Sequence, residues 1–165
     1  MAKIFISVGT NINKEHYLLS AVKALHQSLG ELSLSSVYES EAVGFEGENF
    51  YNMVIGADTQ LSVAEVAALL RQIENDNGRV RNAQKFSSRT LDLDLLTYDE
   101  LISDEVVQLP RDEITKNAFV LWPLAEIAGE QIHPLTKLSY AQMWQTYNKD
   151  SQSLWTVPFN FAEAL

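Results

Sequence analysis

The alternation of two hydrophobic periods constrains the fold of this chain more than any other feature. Strand-like apolar segments are predicted at 3–9, 32–38, 50–58 and 91–98. A helix-like segment lies between the first and second strands, and another lies between the third and fourth. The order strand, helix, strand, strand, helix, strand forms two split β-α-β units and predicts a ferredoxin-like α+β fold. We therefore expect an antiparallel sheet with helices packed on it. The helical spacing is carried by Leu18, Ala21, Val22, Leu25 and Leu29 in one segment and by Val63, Val66, Leu70 and Ile73 in the other.

The ends of the predicted helices carry recognisable signals. Asn13 can cap the first helix and Gly30 can end it. Ser62 followed by Glu65 has the spacing of a capping box at the start of the second helix. The polar segment 75–88 has no period and exceeds an ordinary connection, which favours a functional loop.

Length and composition narrow the protein class. A chain of 165 residues with 46% hydrophobic content suits one domain. We expect a core at about 3–128 and a C-terminal extension at 129–165. The sequence has no apolar run long enough for a membrane span, no signal-peptide pattern at its start and no cysteine, so a cytoplasmic location is expected. A net charge of −10 argues against nucleic acid as a partner.

Two carboxylates stand inside the last predicted strand. Residues two apart on a strand face the same side, so Asp92 and Asp94 project together with Leu96 and Tyr98. Leu91, Leu93 and Leu95 face the other way. One interpretation is an edge strand with one solvated face. The other is a Mg²⁺ site, because this ion is usually held by one or two carboxylates together with water and substrate phosphates.

The positive charges of this acidic chain are gathered beside those aspartates. Four of the five arginines, Arg71, Arg79, Arg81 and Arg89, fall within 19 residues, and Lys85 lies among them. Arginine matches phosphate oxygens in bidentate geometry. Surface Arg–Asp pairs are the alternative, although they contribute only about 0–1 kcal/mol each. Neither a Walker A loop nor a G-x-G-x-x-G fingerprint is present. The combination favours a polyphosphate held by arginines and metal.

Several ordered motifs resemble the 6-hydroxymethyl-7,8-dihydropterin pyrophosphokinase family of folate synthesis. The most specific is KFSSRTLDLDLL at 85–96, with a basic residue, two small residues, an arginine and the D-x-D pair in the family's spacing. It is supported by VGTN (8–11), FYNMV (50–54), GRVR (78–81) and FVLWPL (119–124). The resemblance covers about residues 3–128.

The resemblance implies transfer of pyrophosphate from ATP to the hydroxymethyl group of a reduced pterin. It implies that Asp92 and Asp94 hold two Mg²⁺ ions, and that Arg79 and Arg89 are catalytic arginines of a mobile loop. A buried amide such as that of Asn52 needs hydrogen-bond partners, which fits a pterin contact. The implied ATP-binding residues are Glu74, Arg81, Lys85, Leu95, Arg111 and Lys116, and the implied pterin-binding residues are Ser40, Val43, Phe50, Asn52 and Phe119.

The sequence departs from the family pattern at several positions, and SEAVG at 40–44 lacks the prolines often seen there. Phe86 stands where tryptophan is usual, and Ser87 stands where glycine or alanine is usual. Arg111 replaces a common histidine, and Asn117 replaces a common arginine. Two alternatives to a monomeric pterin pyrophosphokinase therefore stay open: a non-catalytic relative that binds pterin or nucleotide, and a D-x-D nucleotide-sugar transferase.

Overall fold

The structure is a computed structural model that describes residues 1–41, 47–78 and 90–165. The described elements alternate along the chain as the sequence predicts up to β5, and further helices and a strand follow. They are β1 (Ala2–Thr10), α1 (Lys14–Leu29), β2 (Ser33–Leu34), β3 (Val37–Ser40), β4 (Phe50–Thr59), α2 (Val63–Asp76), β5 (Asp92–Tyr98), α3 (Glu113–Lys116), α4 (Ala118–Ala128), α5 (Tyr140–Thr146) and β6 (Leu154–Val157), with short 3-10 turns at Lys149–Ser151 and Ala162–Ala164.

The strands form one antiparallel sheet in the order β5-β1-β4-β3-β6, and β2 also pairs with β4. The first and last strands of the two split units, β1 and β5, are neighbours, as in a ferredoxin-like sheet. This arrangement confirms the predicted fold class. It also brings the start of β5 next to the end of β1.

The predicted second strand, 32–38, is divided into β2 and β3 at Ser35. The Ser35 backbone N–H donates to the Val54 carbonyl at 3.0 Å, and the Ser35 hydroxyl accepts from the Val54 N–H at 2.9 Å. A side-chain oxygen therefore replaces a backbone carbonyl in the ladder at this point. The prediction of one continuous strand is wrong here.

One face of the sheet packs against α1 and α2. Leu18, Leu25, Val66 and Leu70, from the predicted helical stripes, are buried there against strand residues. The predicted helix ends differ in outcome. Ser62 and Glu65 form the capping box, whereas Asn13 has φ 48° and its side chain makes no capping hydrogen bond.

The opposite face is covered by α4 and α5 of the C-terminal part. Phe5, Val54 and Leu96 of the sheet pack there with residues of both helices. Glu126 fixes α4 over β3 because its carboxylate accepts from the Tyr38 hydroxyl at 2.6 Å and from the Ser36 backbone N–H at 3.0 Å. Of these two helices α4 lies within the predicted core and α5 lies in the predicted extension, so residues of the extension also cover this side. No helix in the described part of the chain is long and apolar enough to cross a membrane.

A β-bulge interrupts the pairing of β5 with β1. Leu95 pairs with Ile6, but Thr97 pairs with Phe5, so the register shifts between these pairs. Leu96 still packs on the α4 face, as predicted for the side of the aspartates. Tyr98 instead packs on the α1 and α2 face and donates its hydroxyl proton to the Leu61 carbonyl at 2.7 Å. The prediction that Tyr98 shares the face of the aspartates is wrong, because the extra residue inverts the alternation.

Candidate active site

The two aspartates lie at the start of β5, on the face that α4 covers further along. In the ladder Asp92 pairs with Gly9 and Asp94 pairs with Ser7. Both carboxylates are half-buried. Because paired residues point to the same side of a sheet, the small neighbours Gly9 and Ser7 leave room beside the acidic pair.

The surroundings of Asp94 disfavour the ionised form of its carboxyl group. Burial raises its pKa from 3.8 to about 7, the neighbouring charge of Asp92 adds to this rise, and Arg111 opposes it. The Asp94 side chain keeps 22% exposure, so solvent and ions can reach it. Because burial and the neighbouring charge of Asp92 both disfavour the ionised form of Asp94, a bound cation would stabilise that form.

Arg111 is a cation that the described residues place beside Asp94. Its Nη2 lies 3.4 Å from Asp94 Oδ1 and 2.8 Å from Glu113 Oε1, and its Nε donates to the same Glu113 oxygen at 2.9 Å. The Arg111 backbone N–H donates to the Leu96 carbonyl at 2.9 Å, within the bulge. The Leu109–Pro110 peptide bond that precedes it is cis. Arg111 thus stands beside the acidic pair although it departs from the family pattern.

Asn52 lies in the same row of the sheet as Asp92. Gly9 pairs with Asp92 on one side and with Asn52 on the other. Asn52 Nδ2 donates to the Ser40 hydroxyl at 2.8 Å, and the two residues are 5% and 6% exposed. Among the residues that the structure describes, none donates a hydrogen bond to Asn52 Oδ1. An amide oxygen in this state, on a residue that is otherwise buried, is suited to receive a donor from a ligand.

The two predicted aromatic contacts lie on this side of the sheet. Phe50 pairs with Ser40 at the start of β4 and is half-buried. Phe119, in the first turn of α4, is also half-buried and packs against the core that α4 and α5 form with the sheet. Stacking of a ring between the two remains a prediction.

Three predicted nucleotide residues have structural partners of their own. Glu74 is buried, and its Oε2 accepts from the Leu93 backbone N–H at 2.8 Å, so it caps the free edge of β5. The Leu95 side chain lies in the core with α1 and α2, so only its backbone can reach the face of the aspartates. Lys116 is exposed and pairs with Asp112 at 2.7 Å. Arg79, Arg81, Lys85, Arg89 and Val43 lie outside the described residues, as do Phe86 and Ser87.

Sequence reasoning missed the structural part played by Thr10 and Asn11. Both are buried at the end of β1. The Thr10 hydroxyl donates to the Thr90 carbonyl, and Asn11 Nδ2 donates to the Glu48 carbonyl at 3.1 Å. One short segment therefore holds the residues that lead into both β4 and β5. The available signal was two polar residues directly after an apolar strand, which the VGTN motif contains.

Comparison with known proteins assigns the family. The sequence profile of the 7,8-dihydro-6-hydroxymethylpterin-pyrophosphokinase (HPPK) family matches residues 5–129, which include every described residue of the candidate site. The chain belongs to the HPPK family. The matched segment spans β1 to α4, so the elements that hold Asp92, Asp94, Asn52 and Arg111 are all within the HPPK domain.

Relatives and solved structures agree with this assignment. The chain is 35% identical over 138 residues to the 2-amino-4-hydroxy-6-hydroxymethyldihydropteridine pyrophosphokinase of Aquifex aeolicus, covering 82% of this chain and 86% of the relative. It is 40% identical over 131 residues to the protein of the same name from Bacillus subtilis, covering 76% and 78%. The fold is similar to Plasmodium falciparum HPPK-DHPS with pteroate, at a TM-score of 0.70 and 12% identity. The structural alignment covers 88% of this HPPK chain but only 42% of that longer protein.

Proposed function

We infer that this protein transfers the pyrophosphoryl group of ATP to 6-hydroxymethyl-7,8-dihydropterin in folate biosynthesis. The hydroxymethyl oxygen forms a bond to the β-phosphorus, the bond from that phosphorus to the oxygen shared with the α-phosphate breaks, and AMP leaves. The hydroxyl proton is released, and the other product is the pterin diphosphate. Membership of the HPPK family carries this conclusion, since the profile covers residues 5–129.

For the metal, we propose that Asp92 and Asp94 hold Mg²⁺, with two ions when ATP is bound. The raised pKa of Asp94 supports this, because burial and then the charge of Asp92 disfavour the ionised form, which a bound cation would stabilise. Within the described ranges no cluster of three or more His, Asp or Glu side chains could hold a metal by itself. Water and phosphate oxygens would therefore complete the coordination, as is usual for Mg²⁺. The bound metal would neutralise charge on the triphosphate.

For the nucleotide, we propose that Arg111 contacts phosphate oxygens from its place beside Asp94. Its guanidinium already spans two carboxylates, Asp94 and Glu113. When metal neutralises Asp94, the guanidinium becomes available to an anion of matching geometry. Further nucleotide contacts remain predictions from the resemblance. They are Arg79 and Arg89 as catalytic arginines, and Glu74, Arg81, Lys85, Lys116 and the backbone of Leu95.

For the pterin, we propose that the amide of Asn52 recognises the hydrogen-bonding edge of the ring. Asn52 is held through Ser40, and its Oδ1 is open to a donor among the described residues. Phe50 and Phe119 are proposed to contact the ring faces, and Val43 to complete the pocket. Flat heterocycles are commonly bound by aromatic faces with a few polar groups that fix their orientation.

The contribution of the chain to catalysis is mainly positional. Phosphoryl transfer requires alignment of the attacking and leaving oxygens and neutralisation of charge, rather than covalent help from the protein. Asn52 and Asp92 are separated in the sheet by Gly9 alone. The rigid β-ladder thus fixes the distance between the proposed pterin contact and the proposed metal contact.

The decisive experiment measures AMP formation from ATP, Mg²⁺ and 6-hydroxymethyl-7,8-dihydropterin. We expect AMP and pterin diphosphate in equal amounts, and loss of both on chelation of Mg²⁺ or in Asp92→Asn. The exposed Asp104→Asn variant makes the same charge change away from the site and serves as a control. Binding of pterin and ATP without AMP would instead establish a non-catalytic relative.

Three further properties remain predictions. A monomeric state can be tested by light scattering of the purified protein. Absence of nucleic-acid binding is favoured by the net charge of −10 and can be tested by gel shift. A cytoplasmic location can be tested by fractionation of the source cells.

A further inference from the structure

A cavity lies at the far end of β5 from the acidic pair. Its volume is about 540 Å³. Thr97 lines it and follows Asp92 by five residues, which corresponds to about 16 Å along a strand. No residue assigned above to ATP, metal or pterin contributes to it. Its lining consists of Lys3, Thr97, Asp99, Glu100, Glu130, Gln131, Ile132 and Tyr140.

The two most buried residues of this cavity both carry a hydroxyl group. Thr97 is 3% exposed and Tyr140 is 2% exposed. In the described part of the chain neither side-chain hydroxyl has a hydrogen-bond partner. Burial raises the pKa of Tyr140 to about 12, so its phenol is neutral and can either donate or accept. Neither oxygen is among the enclosed unpartnered side-chain atoms of the described residues, a set that holds Thr90 Oγ1 alone, so both hydroxyls face the cavity and can bond to a ligand there.

The rim around these hydroxyls is acidic. Asp99, Glu100 and Glu130 supply three carboxylates against the single ammonium of Lys3. That ammonium lies 3.4 Å from Asp58 Oδ1, outside the cavity lining. The Lys3 backbone N–H donates to Asp99 Oδ1 at 2.7 Å and fixes this carboxylate at the rim. Because Asp58 engages the one cation, the cavity presents net negative charge to a ligand.

The volume of the cavity and the oxygen atoms that line it indicate which kind of cation it can bind. No three acidic or histidine side chains of the described chain converge closely enough to hold a metal ion. A volume of about 540 Å³ instead falls in the range of small-molecule sites. Primary ammonium groups donate up to three hydrogen bonds and match oxygen acceptors of both kinds found here, carboxylate and hydroxyl.

We propose that this cavity binds a small aliphatic polyamine. One ammonium group donates to the hydroxyls of Thr97 and Tyr140 at the base of the cavity, and a second is neutralised by the rim carboxylates, Glu130 among them. The apolar chain between the two groups lies against the side chain of Ile132. This site is separate from the proposed metal site, and its occupancy does not require the transfer reaction.

The test measures binding of putrescine and spermidine to the full chain by calorimetry, at about 0.15 M salt to screen weak surface attraction. We expect saturable binding that weakens about tenfold or more, or 1.4 kcal/mol, in Tyr140→Phe and in Glu130→Gln. Thr97→Val should weaken binding, whereas Thr97→Ser, which keeps the hydroxyl, should preserve it. AMP formation should be unchanged in all four variants.

Asp92→Asn separates this site from the acidic pair on the same sheet. Retained polyamine binding in Asp92→Asn together with loss in Tyr140→Phe supports the proposal. Loss in Asp92→Asn with normal binding in Tyr140→Phe overturns it, because the amine then occupies the metal site. Absence of binding to the unmodified chain at millimolar amine also overturns it. If Tyr140→Phe proves unstable, the comparison of Thr97→Val with Thr97→Ser decides, and equal affinity of these two overturns the proposal.

Discussion

Asp92 and Asn52 pair with opposite edges of the same residue, Gly9, and therefore face each other across a position that has no side chain. Two strand spacings separate them, or about 10 Å. A Cβ atom on Gly9 would lie 3.4 Å from Asn52 Oδ1. The sheet thus leaves free space above Gly9, between the proposed metal contact and the proposed pterin contact.

A side chain at position 9 should fill the space above Gly9 and impair the transfer reaction in proportion to its size. Gly9→Ala adds only an ordinary contact with Asn52 Oδ1, so we expect a small rise in the KM for pterin. Gly9→Val adds two more methyl groups and should lower kcat/KM by about 100-fold, a loss typical of a misplaced reactant. Steady-state AMP formation measures both variants. Equal activity of the two variants would show that the substrates do not occupy the space above Gly9.

Asp94→Asn should exchange activity for stability. The folded chain raises the pKa of Asp94 from 3.8 to about 7. Between these values the folded state binds the proton that the unfolded state has lost, so the free energy of unfolding falls as pH rises. At about pH 8 the ionised carboxylate opposes folding by a few kcal/mol, on the order of three pKa units. The metal-free Asn variant should therefore unfold at higher urea concentration than the parent.

The pH dependence separates this effect from a general one. The gain in stability of Asp94→Asn should shrink as pH is lowered from about 8 to about 5, because Asp94 in the parent becomes protonated. Asp104→Asn, an exposed control, should show no comparable gain. AMP formation by Asp94→Asn should fall by about 1000-fold because the metal loses a ligand. An Asp94→Asn variant that is active and no more stable would contradict both assignments.

The features that local patterns could predict were the elements with a clear hydrophobic period. The stripes of α1 and α2 and the apolar runs of β1, β4 and β5 are set by neighbouring residues, and the order of these elements determines the ferredoxin-like sheet. Features that depend on a partner strand were missed. The bulge that turns Tyr98 to the other face arises from pairing with Phe5 and Ile6, and no local signal marks it.

The site was predictable only where its functional residues lie close together in the sequence. Asp92 and Asp94 stand two apart and could be recognised from the sequence alone. The contact of Arg111 with Asp94 depends instead on a backbone hydrogen bond from Arg111 to Leu96 and on the support of Glu113. Such tertiary contacts have no period. β6, whose residues are half-buried or exposed, likewise gives a weak pattern.

Asn52→Ala should act on the pterin and leave the nucleotide nearly unaffected. The change removes Oδ1, which is open to a donor, and Nδ2, which is bound to Ser40. Loss of the one or two hydrogen bonds that Oδ1 would accept from the ligand, at about 1 kcal/mol each, predicts a rise of about 10-fold in the Kd for pterin. Calorimetry with each substrate separates the two sites. Ser40→Ala, which removes only the residue that orients Asn52, should have a smaller effect, and an equal rise in the Kd for ATP would contradict the assignment.

Arg111→Gln should weaken ATP rather than pterin. The guanidinium lies 3.4 Å from Asp94 and is the cation that the described structure places there. Its loss removes a phosphate contact and leaves Asp94 with less compensation, so the pKa of Asp94 should rise further. We expect about a tenfold rise in the KM for ATP, as for the loss of one charged hydrogen bond. The exposed Lys116→Gln variant makes the same charge change nearby. A larger effect of Lys116→Gln would transfer the nucleotide contact to that residue.

His133 should make the C-terminal part of the chain sensitive to acid. The side chain is 2% exposed, and its Nδ1 accepts from the backbone N–H groups of Leu135 and Thr136, each at 3.1 Å. Nδ1 must be unprotonated to accept both. Burial accordingly lowers the pKa of His133 below 6.5.

The lowered pKa fixes the sign of the effect on stability. Below about pH 6.5 His133 binds a proton in the unfolded chain but stays neutral in the folded chain. The free energy of unfolding therefore decreases as pH falls below this value. Asp94 acts in the opposite direction, so the measurement is best made in the Asp94→Asn background. His133→Asn offers an amide oxygen in place of Nδ1 without titration and should flatten the loss between about pH 6.5 and 5. His16→Asn, at an exposed position, should leave the loss intact, and an unchanged slope in His133→Asn would show that another group controls it.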